Sequence, residues 1–178
     1  PTNEGFEEVT TLALIGTSAN SSSTAKKTSS RTKDYEKESK RAKRIGDRGE
    51  KIVYDFEIDR VSKCLGISQK QAEKRVRWVS RESDSYGYDI LSVNDDGTER
   101  YIEVKATTGK VGDMNFYYTA HELATAEEKE ANYYIYIVYD IKSTKPKIWQ
   151  IQNPFCGGSA QLKPIPIQYI VPIRTEKI

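Results

Sequence analysis

Residues 133–139 read Tyr-Tyr-Ile-Tyr-Ile-Val-Tyr, with an apolar or aromatic side chain at every position. Successive side chains of a strand point to opposite faces. An unbroken run of this kind therefore needs cover on both sides, and the chain must build a sheet with other elements packed against it. The partners are legible nearby. Tyr88–Val93 and Tyr101–Ala106 flank Asn94-Asp95-Asp96-Gly97, a strong turn signal, and read as a hairpin. Val76–Val79 reads as a strand ahead of it, Phe116–Tyr118 as a short strand, and Lys147–Gln152 as a weakly alternating strand nearer an edge. A helix is predicted from about Gly49 to Leu65, where Tyr54, Ile58, Val61 and Leu65 share one face and Gly66 supplies the stop. Ser68–Lys74 gives a further turn or two, and Thr119–Ala131 a second clear helix. The order of elements specifies an α/β fold, a mixed central sheet flanked by helices.

The segments outside this core differ in character. Residues 1–45 read as an N-terminal arm and linker with a basic helix, and 46–178 as the compact domain. Leu12–Ile15 reads as a short strand or adhering arm, and 17–32 as a Ser/Thr-rich linker. Lys37, Lys40, Arg41, Lys43, Arg44 and Arg48 make the next stretch basic, either as a solvated helix face or as an arm for a phosphate backbone. Pro154, Pro164, Pro166 and Pro172 make the C-terminal stretch loops and short edge strands. A chain of 178 residues can bury one substantial core. With 30% charged residues, no bilayer-length apolar run and no apolar leader, a cytoplasmic protein without a membrane partner is expected. Cys64 and Cys156 form no metal-spacing pattern and are expected to be reduced thiols, Cys64 near the buried side of a helix end. The first residue is Pro1, so the chain is expected to be a piece of something longer. A net charge of +2 argues neither for nor against a nucleic-acid partner.

The hairpin carries the chemistry. Tyr101, Glu103 and Lys105 share one strand face, while Ile102, Val104 and Ala106 share the other, which is apolar. The turn lets Asp89 lie across from the Glu103–Lys105 region. Glu50 sits one helical turn before Tyr54, and so on a face directed at the sheet. Converging carboxylates repel one another unless a cation balances them. Oxygen donors of this kind suit Mg²⁺ or Mn²⁺ and not Zn²⁺. Lys105 beside them is placed to act on an attacking water or to neutralise charge on a phosphate. A plain salt-bridge pair on an exposed sheet face is the competing account of Glu103 and Lys105.

With these residues in place, the sequence resembles the PD-(D/E)xK nuclease superfamily. It is most similar to the poorly characterised domain at the C-terminus of plant NO VEIN-type proteins, also found in bacteria and archaea. The resemblance runs from about Gly46 to Pro154, on Gly46-Asp47-Arg48-Gly49-Glu50, Val76–Ser80, Gly87-Tyr88-Asp89-Ile90, Tyr101–Lys105 and Phe116–Leu123. Asp89 stands at the metal-binding aspartate, Glu103 at the (D/E) position and Lys105 at the lysine, and Glu50 matches the glutamate that many members carry on the helix before the sheet. Tyr88 stands where the superfamily name expects proline. The resemblance implies a restriction-endonuclease-like fold and Mg²⁺-dependent hydrolysis of phosphodiester bonds, with Mn²⁺ able to substitute. It also implies DNA more than RNA as substrate, in the endonuclease domain of a larger restriction, antiviral defence or repair protein. The partner is then a helicase, ATPase or DNA-reading module, with a homodimer as a further expectation. The alternative is a nucleic-acid-binding or scaffolding module that keeps the fold without cleaving.

Further residues are candidates at the margin. Thr119 and Glu122 have capping-box spacing, and the resemblance places that turn beside the site. His121 is a candidate polar or phosphate contact, and Arg75, Arg77 and Lys110 are candidate phosphate contacts or ordinary surface charges. The tyrosines of 133–139 read as packing with wet hydroxyl ends.

Overall fold

The computed structural model describes residues 5–10, 32–83, 85–112, 114–155 and 162–166, with the side chains of its first helix described from residue 37. The elements in chain order are β1 (Glu7–Glu8), α1 (Thr32–Cys64), α2 (Gln69–Glu73), β2 (Arg77–Trp78), β3 (Ile90–Val93), β4 (Glu99–Ala106), α3 (Ala120–Lys129), β5 (Tyr133–Tyr139) and β6 (Lys147–Gln152). The strands form one mixed sheet in the order β1-β6-β5-β4-β3-β2. β4 and β5 run parallel, as do β1 and β6, and the other neighbours are antiparallel.

β5 lies inside the sheet, and all seven of its side chains are buried. One face packs on α1: Ile52, Val53 and Phe56 meet Ile90, Ile102, Val104, Tyr134, Tyr136, Val138 and Ile148. The other face packs on α3 and the neighbouring loops, where Ala126, Met114, Phe116, Tyr118 and Phe155 meet Tyr133, Ile135, Ile137 and Tyr139. This is the α/β architecture of a mixed sheet flanked by helices.

Several local readings change. α1 is one continuous helix through Gly46 and Gly49, because the charged segment ahead of Gly49 has high helix propensity and meets no breaker strong enough to stop it. Its buried apolar positions are Ile52, Val53, Phe56 and Val61, with Glu57 buried among them, while Tyr54, Ile58 and Leu65 pack partly buried beside them. β2 is only two residues long and gives way to a 3₁₀ turn at Val79–Arg81. Phe116–Tyr118 forms no strand, and Phe116 and Tyr118 pack against the second core. The tyrosine hydroxyls of β5 are not wet. With both faces covered, each finds an internal partner: Tyr133 donates to the Gly87 carbonyl (3.0 Å), Tyr134 to Asn94 Oδ1 (3.4 Å), Tyr136 to Glu57 (2.7 Å) and Tyr139 to the Gly112 carbonyl (3.0 Å). Cys64 is exposed near the end of α1 and not on its buried side. The N-terminal segment adheres through Glu7–Glu8 on β6, with Phe6 edge-on to Phe56 at 5.0 Å. Leu12–Ile15, the linker up to residue 31, Cys156 and Pro172 lie outside the described residues.

Candidate active site

β4 is the strand to which everything at the site is referred. The β3–β4 ladder begins at the Ile90–Ile102 pair. Just before it, Asp89 donates its backbone N–H to the Ile102 carbonyl (2.9 Å), and its own carbonyl accepts from Val79 N–H (2.9 Å) and Ser80 N–H (3.1 Å). Its side chain then takes the Val104 N–H, which β3 no longer reaches, onto Oδ2 at 2.8 Å. Asp89 is thus fixed through main chain and side chain together, with one carboxylate oxygen left over from the Val104 bond.

Glu103 is 3% exposed, and Lys105 lies two residues on along the same face of β4. The Lys105 ammonium donates to Glu103 Oε1 at 2.6 Å and to Glu122 Oε1 at 3.2 Å, and sits 4.9 Å from the centre of the Tyr118 ring. Burial between two carboxylates, an ammonium and an aromatic face is not the exposed salt bridge of the competing account.

Glu50 comes from α1. Its Oε2 accepts from Trp78 Nε1 (2.7 Å) and Ser80 Oγ (2.5 Å). The approach of α1 to β4 is set by Gly49, which is buried against Val104 and Ala106. Glu122 comes from α3, where Thr119 and Glu122 form both halves of a capping box while the same glutamate reaches Lys105.

The electrostatics follow from this packing. Burial, then the negative charge of Glu50, pushes the Asp89 carboxyl up to about 7, against the opposing Val104 hydrogen bond. Burial, then the charge of Asp89, holds the Glu103 carboxyl well above the usual carboxylate range. Burial also opposes the charge on Glu122, but a hydrogen bond with Glu103, the Lys105 ammonium and the Thr119 cap outweigh it and hold the group down at about 2. Burial works against the Lys105 charge as well, and Glu103 and Glu122 overcome it and raise the ammonium above its ordinary value. Asp89 and Glu103 are therefore two adjacent carboxyls short of positive charge.

That shortage is what a cation would supply. Carboxylate oxygens are the donors a hard divalent ion takes, and Asp89 and Glu103 fit the part. Among the described residues, however, no three His, Cys, Asp or Glu side chains converge into a ready-made cage. Glu50 and Glu122 are each drawn toward partners of their own.

His121 contacts the Ser85 carbonyl through Nε2 (2.8 Å), so it pins the loop leading to Asp89. Gly87 in that loop has φ +70° and lies against Thr125 and His121, a position that suits only glycine. Arg77 pairs with Glu82 at 2.6 Å, and Arg75 and Lys110 are exposed. Trp78 and Ser80 as holders of Glu50, and Tyr118 beneath Lys105, have no counterpart among the sequence candidates. The Trp-Val-Ser segment at a strand end was the available signal, but nothing in its spacing ties it to a helix 28 residues away.

A family model, that of the C-terminal region of protein NO VEIN, matches residues 49–151. No curated protein and no solved structure matches the chain. The matched segment takes in Glu50, Asp89, Glu103, Lys105 and Glu122. Among the described residues, no helix is long and apolar enough to cross a membrane.

Proposed function

The chain belongs to the NO VEIN C-terminal family, and we propose that within it the Asp89–Glu103–Lys105 cluster hydrolyses phosphodiester bonds of nucleic acid with a divalent cation, as PD-(D/E)xK nucleases do. The observation that carries this reading is the pair of buried carboxyls, Asp89 and Glu103, with raised proton affinity beside a buried lysine. A structural ion pair needs one carboxylate for one ammonium. This site has an excess of carboxylates around one ammonium, and that excess suits a hard cation.

Asp89 and Glu103 would hold Mg²⁺, or Mn²⁺ in its place. Such an ion supplies positive charge to the scissile phosphate and makes water more acidic. Lys105 reaches its position through Glu103 and Glu122, and from there its ammonium offsets charge that accumulates on the phosphate oxygens in the transition state. Glu122 orients Lys105. Glu50, held by Trp78 and Ser80, adds negative charge next to Asp89 and so favours cation uptake. DNA is the preferred substrate in this reading, and the chain acts as the endonuclease domain of a larger defence or repair protein, beside a helicase, ATPase or DNA-reading module and as a homodimer.

One observation favours a second reading, a nucleic-acid-binding module that does not cleave. Lys105 is already satisfied by two carboxylates, and among the described residues no closed cage of acidic groups stands ready. Incubation with plasmid, single-stranded DNA and RNA in Mg²⁺, Mn²⁺ or EDTA separates the two. Cleavage that needs the metal and disappears in Lys105→Ala supports the nuclease. Cleavage that survives both EDTA and Lys105→Ala rules it out, and metal-dependent binding without cleavage favours the second reading.

A further inference from the structure

Residues 37–44 of α1 contribute nothing to either hydrophobic core. Every side chain from Lys37 to Arg44 is exposed, and the segment Lys-Glu-Ser-Lys-Arg-Ala-Lys-Arg has no apolar residue larger than alanine. Apolar packing begins at Ile45 and is firm from Ile52 on. A helix that is polar all round gains nothing from burial, so this part is an extension carried by the anchored turns behind it.

Its charge is far from the chain average. Residues 37–48 hold six cations (Lys37, Lys40, Arg41, Lys43, Arg44 and Arg48) against Glu38 and Asp47, which is +4 in a chain whose total is +2, so the rest of the molecule sums to −2. Asp47 is near Lys43, at 3.8 Å and at the side. Lys37, Arg41, Arg44 and Arg48 follow i, i+4, i+7, i+11 spacing and make one continuous stripe on one face. At 1.5 Å per residue the stripe is about 17 Å long. That spans roughly five phosphates of one DNA strand, at about 3.4 Å each. It ends at Arg48, two residues before Glu50, and it lies ahead of the segment that the family shares, which begins at residue 49.

We infer that the exposed basic face of α1 is a docking surface for the phosphate backbone of nucleic acid outside the cleavage site. The inference rests on the nuclease reading for the identity of the polyanion. The charge, exposure and spacing of the stripe are independent of it. Such contacts position a nucleic acid without reading its sequence.

The test is the salt dependence of binding to fluorescent duplex DNA, for the full chain and for the triple variant Lys37→Gln, Arg41→Gln, Arg44→Gln. Glutamine keeps helix propensity, and circular dichroism checks that the helix is retained. The variant is expected to bind about tenfold more weakly at moderate salt, and its slope of log affinity against log salt to be shallower by about 0.9 for each phosphate contact removed. An unchanged slope overturns the proposal, as does a wild-type chain that does not bind DNA, or one that binds phosphatidylserine vesicles and not DNA. Lys105→Ala, run in parallel for cleavage, keeps the two ideas apart. If its cleavage is undiminished, the nuclease reading fails while the slope still reports on the stripe.

Discussion

A Cβ built on Gly49 would lie 2.6 Å from the Cβ of Ala106, nearer than such atoms come in real structures. This contact sets how closely α1 meets β4, and so where Glu50 stands relative to Asp89. A helical glycine ordinarily costs about 0.5–1 kcal/mol relative to alanine. Gly46, one turn earlier with nothing within 4 Å of its built Cβ, shows that ordinary case. Gly46→Ala is therefore expected to stabilise by about 0.5–1 kcal/mol, while Gly49→Ala overpacks and destabilises by about 1–3 kcal/mol. Ala106→Gly should recover part of the loss. Urea denaturation of the three single variants and the double variant is the measurement. Stabilisation by Gly49→Ala would show that the close approach does not constrain the helix.

The raised carboxyl of Asp89 makes stability depend on pH in a definite direction. A group whose pKa rises from 3.8 to about 7 on folding holds its proton more tightly in the folded state. Its contribution is complete below about pH 4 and is lost as the pH climbs through about 7. Glu103 shifts the same way, whereas Glu122, lowered to about 2, loses its contribution only in strong acid. In EDTA the melting temperature is thus expected to fall between pH 5 and pH 8, by the equivalent of a few kcal/mol. Mg²⁺ should restore it at pH 8 and do little at pH 5, where Asp89 is protonated. Asp89→Asn should flatten both responses. A melting temperature indifferent to Mg²⁺ at pH 8 would count against cation binding here.

Beneath the other face of the sheet, Glu57 is fully buried and accepts from Arg60 (2.8 Å), Ser92 (2.6 Å) and Tyr136 (2.7 Å), with Arg100 at 3.9 Å. Removing the carboxylate leaves Arg60 and Arg100 without their buried counter-charge. Glu57→Ala is expected to lose about 3–5 kcal/mol. Ser92→Ala, which removes one neutral donor, should lose about 1 kcal/mol. Chemical denaturation compares them, and similar small losses for both would mean that water reaches the network.

Glu57 also shows where the sequence stops being informative. In an amphipathic helix of Asp, Glu and Arg, nothing local marks one glutamate as buried, because its partners Ser92, Arg100 and Tyr136 come from three strands far along the chain. Arg100 was equally hidden as a hairpin charge. By contrast the β5 run, the Asn94–Gly97 turn and the Glu103–Lys105 alternation are local signals, and their strands are present. β5 and β6 match their expected bounds, whereas β3 starts two residues late because Asp89 leaves the ladder to bind Val104. The continuity of α1 through Gly46 and Gly49 was concealed by reading glycine as punctuation, when one of the two is there to let a strand approach.

Glu122 has two tasks that mutation can separate. It caps α3 with Thr119, and it reaches Lys105 at 3.2 Å. Thr119→Ala removes the cap oxygen from the Glu122 N–H and leaves the carboxylate facing Lys105, so it should cost about 1 kcal/mol of stability and little metal-dependent cleavage. Glu122→Gln keeps a side chain that capping boxes accept but removes the charge that helps hold the ammonium. It should cost about 1–2 kcal/mol of stability, because the folded state favours the ionised carboxylate, and reduce cleavage by about tenfold or more, with the effect in kcat and not KM, because Lys105 acts on charge that develops in the transition state. Equal effects of the two substitutions on cleavage would mean that α3 serves the site only through its stability. A Glu122→Gln variant with full activity would remove this residue from the positioning of Lys105.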